Sequence, residues 1–355
     1  MQFTKTNKFI VTLGLLGLST ILTGCGISSS GTLANTGSIY RTENYGNTWM
    51  PKASIMGVAR VANFGAANVW TIKQDPTDNM TVYVGTVDSG MYVSNDSGEG
   101  WQWVKSLGKV YVRSIAIDPQ YRCTIFAAVS NKLYRSIDCG RSFVQTYYDN
   151  DQTVTVNSVI TDPKNGAKVY IGTSRGEVIR STDRGMSWQT INRFDSKLTK
   201  LYINPQNGSS LYAATTKDGV SVSTDGGTRW KSLAENLKSF EEGTSFKDMA
   251  FSGENANSIY IVTRYGLLHS SNNGSSWLKI ELITPKEKAT INALAVDPTD
   301  ENRIYYSTNT TFYSSKDGGK NWTTKALPTA RVGWTLVIDP KNTAMIFMGM
   351  REIKK

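Results

Sequence analysis

Seven positions of the chain carry side chains that suit recognition, because each lies five residues before an Asp-Pro dipeptide or its equivalent. They are Trp70, Arg113, Asn157, Thr199, Lys247, Asn292 and Trp334. Tryptophan and arginine contribute large contact energies at protein interfaces, and both stack on flat or ring-shaped groups. Arg60 and Arg331 lie in the segments before Trp70 and Trp334. These residues predict an aromatic and basic binding site, with Lys247 elsewhere on the same ring of positions.

The alternative for these residues is structural, with both tryptophans closing a channel and the arginines solvated. A catalytic alternative rests on carboxylates, since glycoside hydrolysis needs two of them at a defined separation. Asp218 and Asp248 are the candidates, although acidic residues in surface loops are usually only solvated. His269 is the single histidine, so neither a Ser/His/Asp set nor a Cys/His metal site is expected. The sequence therefore favours binding without a metal or cofactor.

The elements that hold these positions are short β-rich runs. Val69–Gln74 is followed by Asp75-Pro76 and then by Val82–Thr86, which is the pattern of a hairpin. Similar pairs of runs return along the chain up to Val332 and Met345. An eight-residue turn recurs between them, and its third residue is Asp or Asn at Asn44, Asp96, Asp138, Asp183, Asp225, Asn272 and Asp317. Because the turn returns at a regular interval along the chain, it indicates a repeat architecture.

The turn has a physical logic. Its Asp or Asn can bond backbone N–H groups two residues on, its Gly supplies a positive φ, and its closing aromatic, as in Trp188, can pack on the neighbouring sheet. Ser181-Thr182-Asp183-Arg184-Gly185-Met186-Ser187-Trp188 resembles the Asp-box, or BNR repeat, of sialidases, sortilin-type receptors, xyloglucan-active glycosidases and photosystem II assembly factors. That resemblance covers nearly all of the chain after residue 37. It implies an all-β propeller whose box residues are mainly structural.

The relatives imply different functions. The assembly factors imply a scaffold that docks a protein partner, including a membrane-protein subunit, and the sortilin-type receptors imply peptide binding in the channel. The sialidases and xyloglucanases imply a carbohydrate-binding protein or a glycoside hydrolase as the alternative. Arg60-Val61-Ala62 is the nearest approach to the Phe-Arg-Ile-Pro-like motif of sialidases, and it lacks the proline. The sequence thus favours a non-enzymatic binding protein.

The two ends of the chain predict how the propeller closes. Ile39-Tyr40-Arg41 and the first box supply a third and a fourth strand, whereas the segment after Trp322 supplies a first and a second. Together they complete one blade, so we expect seven blades closed by a two-plus-two clasp over residues 38–355. Pro51 to Asn68 is expected to be an irregular insert between this blade and the next.

The first residues predict export. Lys5 and Lys8 precede an apolar run that is too short to span a bilayer. Leu22-Thr23-Gly24-Cys25 resembles a bacterial lipobox, which implies a signal peptide over 1–24 and a lipid on the Cys25 sulfur. Residues 25–37 then read as a flexible tether. The expected location is the cell envelope of a bacterium, on the periplasmic or outer side of a membrane.

Charge and cysteines complete the expectations. The formal net charge is +10, and no block of five or more Lys and Arg residues occurs, so acidic partners are favoured over nucleic acid. Cys123 precedes the second strand of its blade, and Cys139 lies in the box that follows the third. Antiparallel pairing brings these points together, and export favours oxidation. We therefore predict a Cys123–Cys139 disulfide.

Overall fold

The structure is a computed structural model that describes residues 1–2, 37–56, 62–284 and 290–353. The chain divides into a first unit, Met1–Thr32, and a second, Leu33–Lys355, and the fold below belongs to the second. The predicted signal peptide, the lipidated Cys25, most of the tether and Arg60 lie outside the described residues. Those expectations stay predictions.

The second unit is almost entirely β-structure. Its helix α1 is a single turn, Ala234–Leu237, and no helix in the described ranges has the length and apolar character needed to cross a bilayer. The strands, in chain order, are β1 Ile39–Thr42, β2 Met50–Pro51, β3 Ser54–Ile55, β4 Ala62–Asn63, β5 Val69–Gln74, β6 Val82–Thr86, β7 Met91–Ser94, β8 Gln102–Trp103, β9 Val112–Ile117, β10 Ile125–Val129, β11 Lys132–Ser136, β12 Val144–Tyr148, β13 Val156–Asp162, β14 Asn165–Thr173, β15 Glu177–Ser181, β16 Gln189–Arg193, β17 Leu198–Ile203, β18 Leu211–Thr215, β19 Val220–Ser223, β20 Lys231–Ser232, β21 Phe246–Phe251, β22 Ile259–Thr263, β23 Leu267–Ser270, β24 Leu278–Ile280, β25 Ala293–Asp297, β26 Asp300–Ser307, β27 Thr311–Ser315, β28 Thr323–Ala326, β29 Val332–Ile338 and β30 Ile346–Arg351.

These strands form seven four-stranded antiparallel blades of a β-propeller. Blades 1 to 6 take β5 to β28 in consecutive groups of four. Blade 7 has the order β2-β1-β30-β29, with Ile39 opposite Gly349 and Thr42 opposite Ile346. The predicted two-plus-two clasp is confirmed. Closure leaves no free sheet edge between the first and last blades, which protects the sheets from pairing with other chains.

The first strand of each blade is innermost, and β5, β9, β13 and β17 contact one another in sequence. The second strands are the most deeply buried, as in β6, β10, β18 and β22, where every residue is buried. Apolar side chains from one blade pack on the next, so the core consists of layers between blades. Removing apolar surface from water stabilises the fold by about 25 cal/mol per Å², and this is the main stabilising term in such layers.

The insert before blade 1 is not wholly irregular, which corrects the sequence expectation. It contains the short hairpin of β3 and β4. Phe64, which follows β4, is buried with its ring stacked on Tyr92 at 4.2 Å and edge-on to Trp101 at 5.6 Å. Two aromatic contacts at these distances anchor the insert on blade 1.

The box turns are held by a serine and an aspartate together. Ser181 Oγ accepts the Gly185 N–H at 2.7 Å and donates to Asp183 Oδ1 at 2.7 Å. Asp183 Oδ1 also accepts the Ser187 N–H at 2.9 Å. Gly185 has φ +80°, and a Cβ there would meet the Phe126 ring at 2.9 Å. The turn therefore requires glycine both for its backbone conformation and for space.

The sequence logic of the turn needs two corrections. The aspartate caps N–H groups three and four residues on, not two, as Met186 and Ser187 show. The residue before the glycine also takes a left-handed conformation, with φ near +57° at Arg184 and +59° at Cys139. The hydrogen bonds of Ser187 lower the pKa of Asp183 to about 2. The box aspartates thus act as ionised turn-formers, as expected.

The closing tryptophans tie neighbouring blades together. Trp188 Nε1 donates to Thr146 O of blade 2 at 3.0 Å, and Trp322 Nε1 donates to Glu281 O of the preceding blade at 2.8 Å. Trp101 is fully buried and donates to Lys52 O at 2.8 Å. In these three turns the ring buries apolar surface between two sheets while its N–H remains satisfied, whereas the indole N–H groups of Trp49 and Trp277 have no partner among the described residues.

Cys123 and Cys139 form a disulfide in blade 2, with their Cα atoms 3.9 Å apart. Cys139 N also donates to Cys123 O. In blade 3 the equivalent residues make only that backbone bond, from Arg184 N to Ala167 O. The disulfide therefore adds a covalent link to a contact between box and hairpin turn that other blades make without one.

Ser181→Ala should lower the free energy of unfolding by about 1–3 kcal/mol, because it leaves the buried Gly185 N–H without its acceptor. The measurement is chemical denaturation followed by tryptophan fluorescence. The matched control is Thr182→Ala at the adjacent exposed position, which should change little. Equal losses in the two variants would contradict the structural role assigned to the serine.

Candidate functional site

In six of the seven blades, the predicted ring position coincides with a break in the register of the first strand. In blade 1, Val69 pairs with Thr86 and Thr71 with Gly85, so the residue between them is extra. The same bulge recurs in five further blades, and the extra residues are Trp70, Arg113, Asn157, Thr199, Lys247 and Trp334. A β-bulge turns a side chain out of the ladder. These side chains are therefore presented at one level of the channel mouth.

Asn292 occupies the corresponding position in blade 6. It precedes β25, and its N–H donates to Ser307 O at 2.8 Å. Its side-chain amide donates to Asn309 Oδ1 at 2.9 Å. The seventh position of the ring therefore lies next to the strand that it was predicted to begin.

Five side chains from three consecutive blades form what we call the aromatic–arginine cluster. The rings of Trp70 and Trp334 lie 5.2 Å apart at an interplanar angle of 36°. The Arg351 guanidinium lies over both, 4.7 Å from the Trp70 ring and 4.4 Å from the Trp334 ring. Tyr111 meets Trp70 edge-on at 5.2 Å, and the Arg113 guanidinium lies 4.2 Å from the Tyr111 ring.

The cluster is half-buried and carries two charges without acidic partners. All five side chains are partly exposed, and no ion pair within the described residues includes Arg113 or Arg351. Burial raises the pKa of Tyr111 to about 12, against the opposing effect of the Arg113 and Arg351 charges. The phenol is therefore neutral at physiological pH. The aromatic faces stabilise both guanidinium groups and leave their edges available to an anionic group.

Sequence reasoning brought Trp70, Trp334 and Arg113 together correctly, but it missed Tyr111 and Arg351. Tyr111 immediately precedes β9 and therefore lies outside the repeated positions on which the sequence reasoning relied. Arg351 pairs with Val332 across the last hairpin. Val332 lies two residues before Trp334. Counting the register of that hairpin from the sequence would have placed Arg351 level with the ring.

Two family models match parts of the sequence. The model of sortilin, neurotensin receptor 3, matches residues 131–266, and the model of the photosynthesis system II assembly factor YCF48 matches residues 201–342. The sequence matches no curated protein. Both family models fall on the blades just described, and both belong to proteins with the Asp-box repeat. The chain is a BNR-type β-propeller.

Solved structures share this fold. The GH74 xyloglucanase from Xanthomonas campestris has a TM-score of 0.66 and 18% identity, covering 86% of this chain and 52% of its own. YCF48 bound to D1 peptide has a TM-score of 0.63 and 14% identity, covering 81% of this chain and 94% of its own. The Niastella koreensis GH74 enzyme gives 0.62 and 20%, with 80% and 51% covered. This chain spans about half the length of the two GH74 enzymes, and identities this low establish the fold alone.

Two of the predicted binding residues of the propeller lie outside the cluster. Arg331, expected in an exposed loop, is only 3% exposed, so that expectation is corrected. Its guanidinium bonds the carbonyls of Ala66 and Ala67 and the side chain of Asn68. Lys247 is exposed in blade 5, where it lines a separate cleft of about 770 Å³.

The weak catalytic candidates are engaged in local hydrogen bonds. Asp218 accepts the Ser196 hydroxyl at 2.6 Å in the loops above blade 4. Asp248 Oδ1 accepts from Lys200 Nζ at 3.1 Å and Tyr202 Oη at 2.9 Å, and its Oδ2 accepts the Leu294 N–H. Both carboxylates are therefore occupied by neighbouring groups of the protein.

His269 lies beside a serine and a tyrosine of its own blade. Its Nε2 lies 2.7 Å from Ser258 Oγ, and its ring stacks on Tyr260 at 4.3 Å. Ser258 is only 1% exposed, so its hydroxyl is closed to a substrate. Burial lowers the pKa of His269, which keeps the ring neutral as a packing element. In the part of the chain that the structure describes, no three His, Cys, Asp or Glu side chains form a metal site.

The channel of the propeller contains two lysines from opposite sides. Water reaches the Lys73 side chain, but protein surrounds it. This burial lowers the pKa of Lys73, and the Lys200 ammonium lowers it further. Lys73 belongs to blade 1 and Lys200 to blade 4, so only the channel brings them near each other. The two ammonium groups therefore influence each other across the channel, although Lys200 is also ion-paired with Asp248.

Lys200→Met should raise the pKa of Lys73, since it removes a like charge and leaves Asp248 uncompensated. The measurement is a ¹³C NMR titration of reductively methylated protein, with the Lys73 resonance assigned from Lys73→Arg. Lys320→Met, in an exposed box turn, is the control and should leave that resonance unchanged. A Lys73 pKa that stays constant or falls in Lys200→Met would contradict a shared channel.

Proposed function

We propose that this propeller is an exported, lipid-anchored binding scaffold that holds a protein or peptide partner at the aromatic–arginine cluster. The cluster itself carries the proposal, because Trp70, Trp334 and Tyr111 offer large apolar faces beside two arginines that form no ion pair with any residue the structure describes. Tryptophan, tyrosine and arginine dominate the energetics of protein interfaces. An acidic or carboxylate-bearing segment of the partner complements the two guanidinium groups.

The geometry lowers the cost of binding. Arg351 is stacked on two indoles and Arg113 on a phenol, so neither side chain loses much rotamer freedom when a partner arrives. Ordering a flexible side chain at an interface costs about 0.5–1.5 kcal/mol. The stacked arginines avoid part of this cost. They also present planar N–H forks, which match a carboxylate in two parallel hydrogen bonds.

The structural relatives support partner binding as a proposal. YCF48 was solved with a D1 peptide bound, and it shares this fold over 81% of the present chain. At 14% identity the partner itself does not carry over. The lipobox-like Leu22-Thr23-Gly24-Cys25 supports a tether to a bacterial membrane. A propeller tethered to the membrane lies beside membrane proteins, so its partner includes an exposed segment of a membrane-protein subunit.

A carbohydrate ligand is the second candidate. The GH74 enzymes share the fold, and a tryptophan face also stacks on sugar rings. Asp248 is held by Lys200 and Tyr202, so the described geometry favours glycan retention over cleavage. The same tryptophans would serve this function, so the experiment must distinguish a peptide from a sugar.

Trp70→Ala with Trp334→Ala, and separately Arg351→Ala, should weaken capture of a membrane-protein or peptide partner by more than about tenfold, as expected when a hot-spot residue is truncated. The measurement is affinity capture by the full chain, with photo-crosslinking at the cluster and mass spectrometry. Tyr121→Ala and Arg141→Ala are matched controls, because both side chains are exposed on the box-turn face.

Capture that survives in the cluster variants would contradict the proposed site. A polysaccharide array run in parallel gives the second arm. Retention on glycans that the tryptophan variants lose would replace the peptide with a sugar. Turnover that Asp218→Asn abolishes would make the protein a glycoside hydrolase.

Cys25→Ser should move the protein from the membrane fraction to the soluble envelope fraction, because one sulfur-linked lipid supplies the anchor. Metabolic labelling with a lipid analogue and cell fractionation measure this. Ser28→Ala, three residues further along, is the control and should stay membrane-bound. Membrane association that persists without the cysteine would contradict the lipid anchor.

A further inference from the structure

The aromatic–arginine cluster lies across the junction that closes the propeller. Trp334 and Arg351 belong to blade 7, which both ends of the chain build, whereas Trp70 belongs to blade 1 and Tyr111 to the segment entering blade 2. The 5.2 Å contact between Trp70 and Trp334 therefore crosses from blade 7 to blade 1. We call this boundary the seam. The relative positions of the cluster side chains therefore depend on how blade 7 and blade 1 are held against each other.

Arg331 joins three segments at the seam. Its Nη1 donates to Gly37 O at 3.4 Å, ahead of β1, and to Gly65 O at 3.0 Å in the insert before blade 1. The insert also supplies Ala67 O at 2.9 Å and Ala66 O at 3.1 Å. Arg331 itself directly precedes β29 of blade 7. One guanidinium thus holds the entry to blade 1 against the blade that closes the ring.

Asn68 connects this arginine to the cluster. Its Oδ1 accepts Arg331 Nη2 at 2.7 Å and the Glu352 N–H at 2.7 Å. Glu352 follows Arg351, and Asn68 lies two residues before Trp70. The bonds therefore fix the chain immediately beside Trp70, Arg351 and Trp334. A single oxygen atom sets the relative position of side chains from both sides of the seam.

We propose that Arg331 and Asn68 are positioning residues, which form a hydrogen-bonded lock at the seam and set the stacking of Trp70, Trp334 and Arg351. The inference deepens the proposed function by naming the residues that assemble its site. The stacking of these side chains exists in the free protein, so it can be measured without a partner. The reason is chemical, because only a planar, multiply donating guanidinium reaches several carbonyls of a tight loop at once.

The coupled indoles supply the measurement. Two indole rings at this distance and tilt couple their transitions and give a far-ultraviolet circular dichroism couplet. The contribution of the Trp70–Trp334 pair is measured as the difference between the circular dichroism spectrum of the full chain and that of its Trp70→Phe variant. Arg331→Met and Asn68→Ala should lose most of this part, whereas Asn68→Asp should keep it, because the carboxylate retains the acceptor. Arg331→Lys should keep only a minor part, since an ammonium makes fewer bonds.

Arg135→Met is the matched control for general weakening of the ring. Like the buried Arg331, Arg135 is an arginine that bonds a carbonyl across a blade boundary, Arg184 O at 2.7 Å, but it is partly exposed and lies between blades 2 and 3. It should leave the couplet intact even where it lowers the unfolding temperature. A couplet that persists in Asn68→Ala, or that falls equally in Arg135→Met, would overturn the lock.

The lock is tested even if an Arg331 variant fails to fold. Asn68→Ala and Asn68→Asp differ from each other by one hydrogen-bond acceptor, and both keep the arginine. Capture of the partner is scored in the same proteins. A lost couplet with full capture would support the lock and refute the proposed binding site. A retained couplet with lost capture would refute the lock and leave the binding site standing.

Discussion

The pairing of β1 with β30 is the interaction on which the rest of the structure depends. Six blades form from consecutive strands, and each needs only local hairpins. The seventh requires Ile39 to meet Gly349 at the other end of the chain. Closing such a long loop costs chain entropy that grows with the logarithm of its length, and the gain is that β1 and β30 pair with each other, so that the outer edge of blade 7 is only the two-residue strand β2. Stability and function therefore converge on one junction.

Arg331 stabilises this junction at a substantial desolvation cost. A buried guanidinium is unfavourable unless its donors are satisfied, and here carbonyls of Gly65, Ala66 and Ala67 accept from its two Nη groups, whereas its Nε has no hydrogen-bond partner among the described residues. Those carbonyls belong to an insert that has no counterpart between the other blades. Phe64 anchors the same insert on blade 1 through Tyr92 and Trp101. Apolar packing thus brings the acceptors to the place where the arginine needs them.

The fold was predictable because its signals are local and repeated. A serine or threonine two residues before each Asp or Asn, a glycine two after it and an aromatic to close the turn give one signal seven times, so single departures such as Thr42 or Phe143 do not obscure the period. The clasp followed from counting strands at both ends. The ring at the channel mouth also followed, because its side chains occupy one register position relative to the hairpin turns.

The site was predictable only in part, because contacts across the seam have no local signature. Trp70, Arg113 and Trp334 stand at a repeated position and were found by period alone. Arg351 occurs once, at the end of a strand, and its partners lie far away in sequence. Arg331 was misread for a related reason, since a loop arginine looks solvated until the backbone that surrounds it is known. The bulges that turn the ring residues outward depend on pairing between strands, which no single run of residues encodes.

The location of the cluster ties binding to closure of the ring. A ligand that contacts Trp334, Trp70 and Arg351 together finds its full surface only when the seam is closed, because these side chains come from both sides of it. Any ligand that binds the closed form preferentially stabilises that form by mass action, by about 2.7 kcal/mol at a hundredfold excess over its dissociation constant. The propeller would then be most stable when occupied. An empty scaffold would be held closed mainly by the clasp hydrogen bonds, Arg331 and Phe64, and this division of roles explains why a binding surface and a buried arginine occupy neighbouring turns of the same chain.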